Sequence, residues 1–329
     1  MSGVTRPQAV YRLARRYAAF AEETRNRSPA YERLACAASS TPEVLRFIAN
    51  LPPERRQPNL FFAAIRQLHG VPGSIKELAE IVRHDGDRVT ALMLSRTTQT
   101  NEPARCAVLL PLLAGLPQPL ALLEVGASAG LCLLPDRYGY DYGVARIEPP
   151  PEKRAVAPVF HCAVSGPVQL PRAHPSIVWR KGLDLNPLDL RSQDDLAWLE
   201  ALVWPGQDDR LQALRAAIDI ARLDPPVVVR GGLLTELEPL MATAPKDVTL
   251  VVFHTAVLTY VRRTEDRQRF ATTLRRANAV WISNEAPEVF PSLAPTGADV
   301  RGRFLIMRNG TAIAWAGPHG QSLEWIPSP

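Results

Sequence analysis

The spacing of apolar residues changes near residue 118 and divides the chain into two parts. In the first part Val10, Leu13, Tyr17 and Phe20 recur at helical spacing, with Arg12, Arg15 and Arg16 largely off that face. Prolines separate further segments of the same kind. "TPEVL" places Thr41 at an N-cap with Pro42 at the first helical position, and "SIKE" makes a capping box of Ser74 and Glu77 ahead of Leu78 and Val82. No strand pattern precedes residue 118, so residues 1–115 are expected to form an all-helical domain.

Beyond that point the runs are short, apolar and rich in β-branched residues: "LALLEV" (120–125), "SIVWRKGLDL" (176–185), "PVVVRGG" (226–232), "VTLVVFH" (248–254) and "AVWIS" (279–283). Such runs fit strands buried on both faces of a parallel sheet. Helical patterns fall between several of them. Leu211, Leu214 and Ile218 form a stripe, Thr235 and Glu238 are placed to cap another helix, and "TEDRQRF" opens a third with acids in its first turn. Strands alternating with helices predict a doubly wound, mostly parallel α/β sheet over residues 116–329, with an insertion at about 135–176 carrying its own short strands. "RFLIMRNGTAIAWAG" then reads as an antiparallel hairpin turning at Asn309-Gly310.

Composition narrows the class without naming a chemistry. A 46% hydrophobic and 22% charged chain of 329 residues is an ordinary globular protein with material for a sizeable core. No apolar run is long enough to span a membrane, and the amino terminus lacks the apolar block of a secretory signal, so a cytoplasmic location with no membrane partner is expected. Cys36, Cys106, Cys132 and Cys162 have neither metal-ligand nor disulfide-framework spacing and read as reduced side chains. Only four of the 38 basic residues are lysines, and the 34 arginines are dispersed, which argues against a nucleic-acid stripe despite a net charge of +5. A small-molecule substrate is expected.

The chemistry turns on "LLEVGASAG". Read as G-x-S-x-G it is a nucleophile elbow presenting Ser128, with a later Asp and His319 to complete a triad. Read as a glycine loop after the first strand of a sheet, Gly126 and Gly130 let the backbone approach a nucleotide, and a following helix would offer its N–H groups. Topology favours the loop, because an elbow strand is preceded by other strands and this one follows a helical stretch. "GLDLNP" supports it by setting Asp184 and Asn186 at the end of the next core strand, where an acid can accept ribose hydroxyls. A tight turn at the glycines and an Asx turn at Asp184 are the plain alternatives.

"LLEVGASAG" with "GLDLNP" resembles the first two motifs of class I S-adenosylmethionine-dependent methyltransferases. "TQTNEPARCAVLLP", "WRKGLDLNPLD", "LVWPGQDDRLQALRAA" and "VVFHTAVLTYV" are similar to an uncharacterised bacterial family, domain of unknown function 2332. The resemblance implies a methyltransferase-like fold and a site for S-adenosylmethionine; it names no substrate. Ser128 in place of the usual middle glycine, and Arg230-Gly231 in place of an acid, depart from the pattern.

Strand ends on the carboxyl side converge on the crevice of such a sheet, and here they carry Glu124, Asp184, Arg230, His254 and Glu285. His254 is the general-base candidate, with a structural histidine as the alternative, and Tyr260 could line the same pocket. "TNEPAR" brings Asn101, Glu102 and Arg105 just before the sheet, where they could close over the crevice, Arg105 taking a carboxylate and Glu102 an amine or sulfonium. The alternative is an N-cap at Asn101 beside a surface Glu–Arg pair. A non-catalytic nucleotide-binding protein of the same fold fits these features as well.

Overall fold

Prolines become helix starts. The computed structural model describes residues 6–99, 101–293 and 302–327. Its first helices are α1 (Arg6–Thr24), α2 (Pro29–Ala38), α3 (Pro42–Ala49), α4 (Pro58–His69) and α5 (Ile75–Ser95). Helices α2, α3 and α4 each begin on proline, where its missing N–H costs nothing. Ser74 caps α5 by accepting from Glu77 N at 3.2 Å, and the Glu77 carboxylate reaches back to Gly73 N at 2.7 Å. Thr41 precedes α3 but makes no cap; its hydroxyl donates to Ala37 O at 2.8 Å, satisfying a carbonyl at the end of α2 instead.

Contacts divide the chain into two compact units, one of Met1–Thr100 with Ser192–Gln212, the other of Asn101–Arg191 with Ala213–Pro329. The first unit is helical. Its core is aromatic: Tyr17, Phe20, Tyr31, Phe61 and Phe62 are buried with ring centroids 5.0–6.4 Å apart, and Trp204 meets Phe20 edge-on at 5.5 Å. The sequence boundary near residue 115 therefore falls differently, since the segment from Asn101 packs with the sheet and residues 192–212 pack with the helices.

The second unit begins with α6 (Cys106–Ala114), apolar on every side and buried throughout its first eight residues, followed by strand β1 (Leu120–Val125). The expected insertion holds β2 (Gly139–Asp141), β3 (Arg146–Ile147) and β4 (Val159–His161), which form a separate sheet in the order β3-β2-β4. Then come β5 (Ala163–Ser165), β6 (Ile177–Asp184), and α7 (Gln193–Ala201), which belongs to the first unit. Helix α8 (Asp208–Leu223), β7 (Val227–Arg230), α9 (Leu237–Met241), β8 (Thr249–Thr255), α10 (Thr264–Arg276) and β9 (Val280–Glu285) continue the alternation. Glu236, not Thr235, holds the N-cap position of α9; the Thr235 hydroxyl bonds Gly232 O. The chain closes with β10 (Phe304–Arg308), β11 (Thr311–Ala316) and β12 (Ser322–Trp325).

The large sheet runs β5-β12-β11-β10-β9-β8-β1-β6-β7. Strands β9, β8, β1, β6 and β7 are mutually parallel, whereas β10, β11 and β12 add antiparallel to one edge. Asn309 and Gly310, with φ of 52° and 83°, make the β10–β11 turn that the sequence signals. Strand order reverses on the two sides of β1: the chain first builds outward through β6 and β7, then returns to add β8 and β9. The β1–β8 junction is a topological switch point, where carboxyl ends of strands leave a crevice. Among the described residues no helix is long and apolar enough to cross a membrane.

Candidate functional site

Register decides which side chains face one another at the switch point. Glu124, Phe253 and Ile282 are paired across β1, β8 and β9, as are Val125, His254 and Ser283 on the opposite face. The second face carries an apolar core of Leu123, Val125, Val252, Phe270, Leu274 and Trp281. His254 therefore points into that core and is wholly buried. Its Nε2 lies 3.0 Å from Trp281 Nε1, which can only donate, so Nε2 accepts and the ring proton is on Nδ1. Nδ1 donates to Glu285 Oε1 at 2.7 Å. Glu285 also accepts from Val257 N at 2.9 Å and Leu258 N at 3.1 Å, tying the loop after β8 to the end of β9. The general-base role expected of His254 is thus replaced by a structural one: both ring nitrogens are committed, and the ring is closed to solvent. Tyr260 lies in the turn after β8 and is exposed.

The loop after β1 is also different from a nucleotide cradle. Gly126 has φ 75°, and a Cβ there would sit 2.0 Å from Val257 Cγ2; one at Gly130, with φ 77°, would meet Pro226 Cβ at 3.0 Å. Both glycines are required by protein packing. The loop's amides are spent internally: Gly126 N and Ala127 N donate to Leu183 O, Ser128 N to Asp184 Oδ2 at 2.8 Å, and Gly130 N to Ala127 O. Leu131 N donates to Asn101 Oδ1 at 2.9 Å. A 3-10 turn over Leu131–Leu133 takes the place of the expected α-helix. Ser128 is buried with φ 53°, an elbow-like backbone without the helix that an elbow enters.

Asp184 collects the next strand end. Its Oδ1 accepts from Asn186 N at 2.8 Å, which with the Ser128 bond locks the two motif loops together. Arg230 is exposed at the end of β7 and donates to Leu185 O at 3.2 Å and Asn186 Oδ1 at 3.0 Å. Asp184, Asn186 and Arg230 thus lie together beside the largely exposed Leu185.

The "NEPAR" segment belongs to this unit and is buried rather than superficial. Asn101 reaches Leu131, and Glu102 accepts from Ala104 N and Cys132 Sγ through its side chain and carbonyl respectively, with His319 Nδ1 3.4 Å from Glu102 Oε2. Arg105 donates from Nε to Pro318 O at 2.8 Å and from Nη1 to Thr255 O and Oγ1 at 3.2 and 3.3 Å. Gly320 explains why the β11–β12 turn can come so close, since a Cβ there would lie 2.0 Å from Ala104 O. Glu124 is buried within reach of the Arg105 and Asp184 charges; desolvation pushes its carboxyl well above the ordinary range, Cys132 and Asp184 push the same way, and Arg105 opposes them. Cys132 is pushed up as well, first by its hydrogen bond with Cys106 and then by burial.

Sequence reasoning missed two polar side chains. Ser283 and Asn284 directly precede Glu285, the last residue of β9, and the Ser283 hydroxyl and both Asn284 amide atoms are buried without partners among the described residues. Three successive polar residues closing an apolar strand were the available signal. The loops after β1 and β8 are strained as well: Ser128 and Ala256 are left-handed without glycine's freedom, at φ 53° and 55°. No group of three or more His, Cys, Asp or Glu placed to hold a metal occurs among the described residues.

Fold and site define an α/β protein with a large, mostly parallel sheet, antiparallel strands at one edge, and polar side chains at the strand ends of the switch point. The chain belongs to the family described as an uncharacterized protein conserved in bacteria, domain of unknown function 2332, whose model matches residues 14–325. No curated protein and no solved structure matches it.

Proposed function

We propose that the sheet-bearing unit binds S-adenosylmethionine at the carboxyl ends of β1, β6 and β8 and transfers its methyl group to an oxygen or nitrogen of a small molecule. The strand order supports this reading, because ligands of open α/β sheets bind where the strand order reverses, here at β1–β8, and Asp184 ends β6, the neighbour of β1 on its other side. The fit is uneven. The acid end suits a nucleoside: Asp184, preset by Ser128 N and Asn186 N, would take ribose hydroxyls, with Arg230 and Leu185 alongside. The glycine loop is closed by Val257 and Pro226, so the ligand lies over the loop's outer side and not against bare glycine backbone.

The donor supplies an electrophilic methyl group, and the protein's contribution is to hold the acceptor in line with it. With His254 sequestered, positioning and exclusion of water replace base catalysis. That sequestration also favours a second reading, a binding protein of the same fold without catalysis. Calorimetry of the full chain with S-adenosylmethionine, S-adenosylhomocysteine and NAD tests the ligand class; binding of the first two over NAD is expected. Labelling of Ser128 by a fluorophosphonate with no nucleotide binding would establish a hydrolase instead.

A further inference from the structure

Arg105 is a cation held out of water, 5% exposed, with its guanidinium 5.7 Å above the Phe304 ring. Its hydrogen bonds go to two carbonyls and a hydroxyl, all neutral. Among the described residues no carboxylate stands within ion-pair distance of it: Glu102 meets His319, and Glu124, whose carboxyl burial pushes up and Arg105 pulls down, makes no ion pair with it. A buried charge without a counter-charge is costly enough that proteins rarely keep one unused.

The surroundings are equally unfinished. Asn284 pairs in register with Thr255, whose hydroxyl Arg105 bonds, and it shares the sheet face of Glu124. Its amide nitrogen and oxygen, and Glu124 Oε2, are all buried without partners among the described residues. Each such atom is destabilising if nothing fills the gap. Ordered water would satisfy an amide but would leave the guanidinium uncompensated. A carboxylate compensates the guanidinium and accepts from the Asn284 NH₂, and it accepts from Glu124 when that carboxyl carries its proton; Asn284 Oδ1 is left to a donor such as water or a hydroxyl of the ligand.

We infer that Arg105, Thr255, Asn284 and Glu124 form a binding site for the carboxylate of a small organic acid, separate from the nucleoside position at Asp184. The inference rests on the methyltransferase reading only in making that acid the methyl acceptor; binding itself stands independently.

The test is thermal unfolding of the full chain against sodium acetate, with sodium chloride at equal ionic strength and acetamide as controls. Acetate should raise the melting temperature saturably, and neither control should. Asn284→Leu, which fills the position with an apolar side chain, should fold and bind acetate at least about tenfold more weakly; Arg105→Met should lose the response, and Thr255→Val serves if that variant does not fold. A parent protein that responds to acetate only as to chloride overturns the site. So does Asn284→Leu with a raised melting temperature and an undiminished acetate response, the result expected of a cluster holding water. S-adenosylhomocysteine at saturation should leave the acetate response intact; if it abolishes it, the carboxylate belongs to the nucleoside ligand and the separate site is wrong. Failure of S-adenosylhomocysteine to bind would fall on the donor reading alone, since the acetate titration does not need it.

Discussion

Replacing His254 by alanine should unfold the sheet-bearing unit far more than it impairs any ligand. The ring accepts from Trp281 Nε1 and donates to Glu285 Oε1, and it packs 5.4 Å from Phe270 and 6.1 Å from Trp281 between centroids. Truncation strands the indole N–H without an acceptor, costing about 1–3 kcal/mol. The carboxylate of Glu285 loses one of its donors, and the emptied ring volume adds a cavity cost of roughly 2–3 kcal/mol. The sum is on the order of 4 kcal/mol, a large share of the ~5–15 kcal/mol that holds a typical domain. Urea unfolding followed by tryptophan emission would read it, with Trp281 as a reporter in direct contact. His254→Gln can keep one of the two bonds and should lose about half as much. A His254→Ala variant that unfolds within about 0.5 kcal/mol of the parent yet loses methyl transfer would refute this, since surface-like tolerance is incompatible with a committed buried ring.

Two further substitutions probe the packing of the same unit. Because burial raises the Glu124 carboxyl in the folded chain above its ordinary 4.5, the native state holds its proton longer than the unfolded one; this stability is full below that value and declines as pH rises toward the native pKa. Glu124→Gln should therefore match the parent at about pH 4 and exceed it at about pH 8 in thermal unfolding, and an unchanged pH slope would contradict the assignment. Gly126→Ala should cost about 2–5 kcal/mol, the sum of a left-handed backbone and a Cβ driven into Val257. Adding Val257→Ala should recover the steric part only, as measured by urea unfolding; full recovery would mean that the φ of 75° carries no strain.

The framework was readable because its signals are local. Asn309-Gly310 dictates a hairpin from two residues, and Ser74 with Glu77 announces a helix start from four. Thr41 has the same chemistry as Ser74 but stands beside the end of the preceding helix, so a nearer carbonyl captured its hydroxyl. His254 lands on the side opposite to the expected one for a different reason. "VTLVVFH" is apolar at nearly every position, and without alternation a strand does not disclose which face its last residue takes; the pairing of β8 with β1 and β9 settles it. Gly126 shows the same limit, since a glycine that admits a ligand and one that admits Val257 look identical in a sequence. Asn101 acts on Leu131, thirty residues away, a partner that neither the crevice reading nor the N-cap reading of the local pattern identifies.

Binding of a nucleoside beside Asp184 at the β1–β8 switch point is the step on which the proposed function depends, and calorimetry of S-adenosylhomocysteine with the parent, Asp184→Ala and Ser128→Ala addresses it without a known substrate. Asp184 contributes its carboxylate, whereas Ser128 contributes a backbone N–H that alanine retains. The parent should bind, Asp184→Ala should bind roughly 10- to 150-fold more weakly, as expected for loss of charge-assisted bonds of ~1.5–3 kcal/mol, and Ser128→Ala should stay near the parent. Equal affinities for the parent and Asp184→Ala, or no binding by the parent at all, would contradict it.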